Sequence, residues 1–199
     1  MRRHLILFVR RPQLGAGKRR LARDIGELPA LRFQRLMLQR LLRRLGRDRR
    51  WQLRLAVTPD RPTLHGVKLP AGVVVTRQGS GDLGARMRRA LAACPPGPAV
   101  LIGSDIPALT ASHIAEAFRL LGRHDLVFGP TSDGGFWLVG ARRSQRLPPL
   151  FGPVRWSTPQ ALADTLANLP APVSVGYAAR LDDVDDGAAW RREPITRGF

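Results

Sequence analysis

The chain has 199 residues, enough to bury a core of its own, with 44% apolar residues and a net charge of +18. One cysteine, Cys94, excludes an internal disulfide framework and a cysteine-based zinc cluster, and no apolar stretch approaches the length of a membrane span. The apolar run near the N-terminus is only a strand's length and lacks a signal peptide's cleavage site, so a soluble, cytoplasmic protein is expected.

Residues 5–9, apolar and bounded by charge, read as a buried strand. A glycine turn follows, Pro12-Gln13-Leu14-Gly15-Ala16-Gly17, then Lys18 and a basic helix start. Leu31, Leu38, Leu41, Leu42 and Leu45 form a helical stripe with arginines on the other face. Segments 53–57 and 73–76 read as short strands, 83–93 as a helix ended by Cys94-Pro95-Pro96-Gly97-Pro98, and 99–102 as a buried strand. Thr110 is a candidate N-cap for a helix over 111–121 that stops near Gly122. Strands 126–128 and 136–139 lie too close for a helical crossover, which predicts an antiparallel element. Ser157 or Thr158 is placed to cap a helix over 159–169, with 173–175 a further strand and 186–191 a short closing helix. Residues 142–153 read as a mobile loop. Strands alternating with helices predict an α/β domain with a mostly parallel sheet.

The first glycine loop has the composition of a phosphate site. Gly15 and Gly17 let backbone N–H groups approach an anion, and Lys18 brings a compact charge to a helix start. It is not the P-loop of nucleoside triphosphatases, which needs glycine where Pro12 stands and Ser or Thr where Arg19 stands. Asp105 follows a strand in Gly103-Ser104-Asp105-Ile106-Pro107, at the carboxyl end where open α/β sheets bind ligands. A carboxylate there either holds Mg²⁺ or Mn²⁺ with a diphosphate or caps the next helix, a task for which Thr110 is better placed. The run Asp182-Asp183-Val184-Asp185-Asp186 repels itself unless cations neutralise it. It is a source of a second metal ligand, or a solvated turn in which Asp186 caps the last helix.

Asp133-Gly134-Gly135, on the turn that begins at Gly129-Pro130, exposes a carboxylate as a base or as an acceptor for a sugar hydroxyl. A second glycine loop, Gln78-Gly79-Ser80-Gly81-Asp82-Leu83-Gly84-Ala85-Arg86, enters a helix and can contact a nucleobase or phosphate, with Asp82 also placed to cap. His4, His65, His113 and His124 lack paired metal spacing and read as surface or helix residues.

Taken in order, these segments resemble a bacterial family of GT-A-type glycosyltransferases, some linked to arsenosugar biosynthesis. That family is similar in turn to the molybdenum-cofactor and phospholactate guanylyltransferases. Its pattern begins with Ala-Pro-x-Pro-Gly-x-x-Lys-Thr-Arg-Leu, then Gln-Gly-x-Gly-Asp-Leu-Gly-x-Arg-Met, then Ile-Gly-Ser-Asp-x-Pro. It continues with Gly-Pro-x-x-Asp-Gly-Gly-Tyr, Trp-Ser-Thr and Asp-Val-Asp. Here the matches are Pro12, Gly15, Lys18, Arg20 and Leu21, then Gln78, Gly79, Gly81–Gly84, Arg86 and Met87, then Gly103–Asp105 and Pro107. Further on they are Gly129, Pro130, Asp133–Gly135, Trp156–Thr158 and Asp183–Asp185, so the likeness spans nearly the whole chain. Departures are Leu14 for the second proline, Arg19 for threonine, and Asp186-Gly187-Ala188-Ala189 for Thr-Pro-Glu-Asp.

The resemblance implies a GT-A fold, a Rossmann-like three-layer α/β/α arrangement with a mostly parallel mixed sheet, as one nucleotide-binding domain over residues 1–199. It implies nucleotide or phosphate contacts from Gly15, Gly17, Lys18, Arg20, Gln78, Gly79, Gly81, Asp82, Arg86 and Ser104. Asp105 and Asp185 would hold Mg²⁺ or Mn²⁺. Asp133 and Lys18 would be catalytic, with the acceptor beside Gly134, Gly135, Trp156 and Ser157. The implied function is metal-dependent transfer of a glycosyl group from a nucleotide sugar to a small-molecule acceptor.

Lys18–Leu21 also resembles the Lys-Ser-Arg-Leu of phospholactate guanylyltransferases. The alternative is therefore a nucleotidyltransferase that takes a nucleoside triphosphate and releases pyrophosphate. From another class, the arginine-rich first third suggests a nucleic-acid-binding protein. Against it, only Lys18 and Lys68 are lysine among 33 basic residues, a skew that points to coding bias, and Trp51 stands nearly alone as a stacking aromatic. Nucleic acid is therefore not the expected partner.

Overall fold

Side-chain alternation along the first strand decides the layering. In β1 (His4–Arg10), Leu5, Leu7 and Val9 face one cluster and Ile6 the other, all 1% exposed or less. A strand buried on both faces belongs at the centre of a sheet covered by helices on either side. The computed structural model describes residues 1–60, 64, 66–143 and 147–193.

After β1 come α1 (Arg19–Ile25), α2 (Glu27–Leu45), β2 (Gln52–Thr58), β3 (Val74–Arg77), α3 (Leu83–Ala92) and β4 (Ala99–Ile102). The second half holds α4 (Ala111–Leu120), β5 (Leu126–Pro130), β6 (Phe136–Ala141), α5 (Ala161–Ala167), β7 (Val175–Tyr177) and α6 (Gly187–Arg192). Among the described residues the seven strands form one sheet in the order β3-β2-β1-β4-β6-β5-β7. Only β6 runs against its neighbours, pairing antiparallel with β4 and β5 as the short connection from β5 requires. The apolar stripe of α2 (Leu38, Leu41, Leu42, Leu45) packs on one face with α4 (Ile114, Ala117, Phe118), and α3 with α5 covers the other. The result is the expected three-layer arrangement with a mostly parallel mixed sheet.

Several expectations need correction. The helical stripe begins earlier, at Glu27, because Ala30, Phe33 and Met37 make a second apolar face that packs on Leu21 and Val184. The cap of α5 is Gln160 rather than Ser157 or Thr158. Ser157 is left-handed (φ 62°), and the Thr158 hydroxyl is spent on the Arg155 carbonyl at 2.7 Å. The last strand lies two residues later than expected, where Leu126 to Phe128 pair with Val175 to Tyr177. His4 is a core residue, 2% exposed, because β1 is a central strand rather than an edge. His113 belongs to the capping box of α4 with Thr110, and His65 lies outside the described residues. The loop expected over 142–153 lies partly outside them too, and its described Arg143 donates to the carbonyls of Cys94 (2.7 Å) and Pro95 (2.9 Å).

Candidate functional site at the carboxyl ends of the strands

Connections leave β1 toward β2 and return across it to β4, so the strand order reverses between β1 and β4. Such a reversal opens a crevice at the carboxyl ends of the strands. Lys18 comes from the loop after β1 and Asp105 from the loop after β4. The Lys18 backbone is left-handed (φ 48°, ψ 46°), a conformation that costs a non-glycine residue about 1–2 kcal/mol. Its side chain, 7% exposed, runs inward: Nζ lies 3.0 Å from Asp105 Oδ2, 3.0 Å from Asp185 Oδ1 and 4.0 Å from Asp183 Oδ2, and donates to the Val184 carbonyl at 2.7 Å.

Side-chain alternation in Asp183-Val184-Asp185 explains the pairing. Val184 is 1% exposed among Leu21, Ala30, Phe33 and Met37, and its N–H donates to the Asp105 carbonyl at 3.0 Å. Both flanking aspartates then turn toward Lys18. Burial opposes the Lys18 charge, but Asp105, then Asp185 and Asp183, outweigh it and hold its pKa well above that of an ordinary lysine. For Asp183 burial raises the pKa, reinforced by Asp185, Asp105 and Asp133 and resisted by Lys18. Asp186 is the N-cap of α6, accepting from Ala189 N at 2.8 Å, so the acidic run divides between the site and a helix end.

Asp133 lies on the β5–β6 turn, where its Oδ1 accepts from Gly135 N at 3.0 Å and from the Thr131 hydroxyl. The turn is anchored by Asp182, whose Oδ1 accepts from Ser132 N at 2.6 Å. Gly134 has φ 82°, and a side chain there would strike the Pro159 carbonyl, so this turn and the segment before α5 meet only over glycine.

The second glycine loop is tied into the core. Gln78 is 1% exposed; its Nε2 donates to Val9 O (3.2 Å) and Ala56 O (2.9 Å), and its Oε1 accepts from Arg86 Nη1 at 3.2 Å. Gly79 N donates to Asp60 at 3.1 Å, and Arg89 Nη1 donates to the carbonyls of Gln78 and Ser80. Asp82 caps α3 through Ala85 N at 2.7 Å and accepts from the Trp156 indole at 3.3 Å.

Three cavities share Ser104 and Asp105 and run together as one cleft. The first, about 240 Å³, lies against Arg10, Gly17, Lys18 and Gln34. A second, about 270 Å³, holds Phe8, Thr58, Gln78 and Arg86. The third, about 280 Å³, includes Arg20, Asp133, Gly135, Phe136, Trp156 and Ser157. Gly15 lies in an adjoining hollow with Arg19 and Arg23 that shares Gly17 and Gln34 with the first cavity, while Gly134 packs behind its turn. Sequence reasoning passed over Gln34 and Arg89, and it named Asp183 within the acidic run without giving it a role of its own. The signal for Gln34 was available, as a polar residue on the buried side of α2, 8% exposed and beside Gly17.

Among the described residues no group of three His, Cys, Asp or Glu side chains is arranged to hold a metal ion, and the Lys18 ammonium stands among the three aspartates. Asp105 and Asp185 each turn an oxygen toward that one cation. Such hard oxygen donors suit Mg²⁺ or Mn²⁺ when phosphate oxygens and water complete the shell.

This sheet order, with its carboxyl-end cleft, is the fold of nucleotide-diphospho-sugar transferases. A provisionally assigned nucleotide-diphospho-sugar transferase from Desulfovibrio desulfuricans G20 superposes with a TM-score of 0.85 at 26% identity, over 98% of this chain and 93% of that one. The fold also extends to a CMP:2-keto-3-deoxy-manno-octonic acid synthetase complexed with CTP (TM-score 0.58, 12% identity, 96% of each chain). It extends further to glucosyl-3-phosphoglycerate synthase from Mycobacterium tuberculosis, in complex with Mn²⁺, UDP and glucosyl-3-phosphoglycerate (TM-score 0.54, 15% identity, 92% of this chain and 70% of that one). The family described as "Uncharacterized protein conserved in bacteria (DUF2064)" matches residues 41–158, and the chain belongs to it. No curated protein matches the sequence. No helix among the described residues is long and apolar enough to cross a membrane.

Proposed function

We propose that the protein is a metal-dependent transferase that moves a glycosyl group from a nucleotide sugar to a small-molecule acceptor. The observation that carries this reading is the meeting of Lys18, Asp105 and Asp185 at the reversal point of the sheet. Asp105 and Asp185 would hold Mg²⁺ or Mn²⁺, which when bound stabilises charge on the diphosphate leaving group. Relatives of the fold support this choice, since the mycobacterial synthase holds Mn²⁺ and UDP. Lys18 and Arg20 supply positive charge beside the diphosphate, and Arg86 and Ser104 line the path for the rest of the nucleotide.

Asp133 is the proposed base. One of its oxygens is held by the turn, which leaves the other to take the proton of an acceptor hydroxyl. The acceptor oxygen then bonds to the anomeric carbon, the bond from that carbon to the phosphate oxygen breaks, and the nucleoside diphosphate departs with the electron pair. Gln78, Gly79 and Asp82 act as positioning residues for the loop, because their polar groups are engaged within the protein, and Gly81 supplies its left-handed turn at φ 99°.

A product assay tests the reading. With Mn²⁺, a panel of nucleotide sugars and mixed acceptors, release of a nucleoside diphosphate is expected, and Asp133→Asn lowers the rate about 10²–10⁴-fold without weakening nucleotide binding. Pyrophosphate release from a nucleoside triphosphate, undiminished in Asp133→Asn, would establish nucleotidyl transfer instead.

A further inference from the structure

We infer that the acceptor taken beside Asp133 is an uncharged polyhydroxylated molecule with an apolar face, and that phosphorylated acceptors are excluded. The inference rests on the preceding reading of the cleft and adds the class of its second substrate. It comes from the charge and the shape of the cavity of about 280 Å³ that holds Asp133.

Four carboxylates line that cavity: Asp105, Asp133, Asp183 and Asp185. Arg20 is the one cation among the lining residues described; its Nη1 lies 3.8 Å from Asp185 Oδ2, and in the proposed reading its charge serves the donor diphosphate. Lys18 stands between Asp105 and Asp185 in the neighbouring cavity, and its charge too serves the donor diphosphate. A divalent ion offsets Asp105 and Asp185, and Lys18 and Arg20 offset the donor diphosphate, which leaves Asp133 and Asp183 uncompensated on the acceptor side. A phosphorylated acceptor would enter against Asp133 and Asp183 with no further cation among the described lining residues to receive it.

The remaining lining is apolar and braced. Trp156 packs edge-on to Phe136 (centroids 6.4 Å apart) and tilted to Phe151 (5.9 Å), and its indole N–H is held by Asp82 at 3.3 Å. Gly84 makes room behind it, since a Cβ there would lie 2.7 Å from Trp156 Cζ2. Leu83 and Met87 complete this side of the cavity. A fixed aromatic face suits the C–H face of a sugar or an aglycone, and carboxylates beside it accept hydrogen bonds from hydroxyls.

Two probes that differ only by a phosphate test this: phenyl β-D-glucopyranoside and its 6-phosphate, each titrated into the purified protein with tryptophan fluorescence and saturation-transfer NMR. The neutral probe should bind at least about tenfold more tightly than the 6-phosphate. Trp156→Ala should weaken the neutral probe about tenfold, Trp156→Phe should recover most of that loss, and Asp183→Asn should narrow the gap between the probes. Equal or tighter binding of the 6-phosphate overturns the inference, as does failure of both probes to bind at millimolar concentration. A parallel thermal-shift series with Mn²⁺ and nucleoside diphosphates separates the two readings. Nucleotide binding with a reversed probe ranking defeats only the acceptor inference, whereas no nucleotide shift at all defeats the proposed function.

Discussion

At the scale of single residues, Lys18 is held in place by the same carboxylates that its charge balances. Its left-handed backbone, its buried side chain and its contacts to Asp105, Asp185 and the Val184 carbonyl are one arrangement, so removing the ammonium leaves two partly exposed aspartates facing each other. Lys18→Met should therefore destabilise the protein by about 1–3 kcal/mol in urea unfolding, less than for a fully buried pair because water reaches the carboxylates. Added Mn²⁺ should restore part of that loss if Asp105 and Asp185 take a divalent ion. The sequence carried the identity of these residues but not their meeting. Spacing along the chain says nothing about which loops the sheet order brings together, and the inward turn of Lys18 depends on Val184 filling a gap between α1 and α2. Gln78 shows the opposite case: its place in a glycine loop suggested a ligand contact, while its amide is consumed by the carbonyls of β1 and β2.

At the scale of elements, the strands were legible because apolar runs bounded by charge admit few other readings, and the antiparallel β5–β6 hairpin followed from its short connection. Helix starts were less so. The early turns of α2 bury Ala30, Phe33 and Met37 against α1 and the segment before α6, a partner that no local pattern in α2 announces. The start of α5 depends in the same way on the β5–β6 turn, where Gly134 O accepts from Leu162 N at 3.0 Å and the Gly134 Cα abuts Pro159. Gly134→Ala forces both a positive φ and a backbone collision, so a loss of about 2–4 kcal/mol is expected in thermal or urea unfolding. The same change should lower transfer activity more than nucleotide affinity, because the turn carries Asp133. A variant as stable as wild type would mean that the turn and α5 move independently.

At the scale of the whole molecule, the charge distribution is the unusual property. A chain of net charge +18 with 15 acidic residues gathers four of them in one cleft, so a positive surface surrounds a negative site. Such a field draws anionic nucleotides to the protein, while binding within the cleft depends on a cation to offset the aspartates. Stability should depend on pH through His4, whose two ring nitrogens are buried without a partner in hydrogen-bonding geometry. Burial lowers its pKa below 6.5, helped by Arg54, Arg143 and Arg2 and opposed only by the Pro96 carbonyl. The unfolded chain therefore binds a proton that the folded one resists, and the contribution present above about pH 6.5 is lost as pH falls toward the folded value. The melting temperature should drop between pH 7.5 and 5.5, and the drop should be smaller in His4→Gln. The most direct test of the proposed site is a thermal-shift screen of nucleoside diphosphates, triphosphates and nucleotide sugars, with and without Mn²⁺, on wild type and Asp105→Ala. A Mn²⁺-dependent shift with a nucleoside diphosphate or nucleotide sugar in wild type, abolished in Asp105→Ala, is the predicted result; equal shifts in both proteins, or none in wild type, would contradict it.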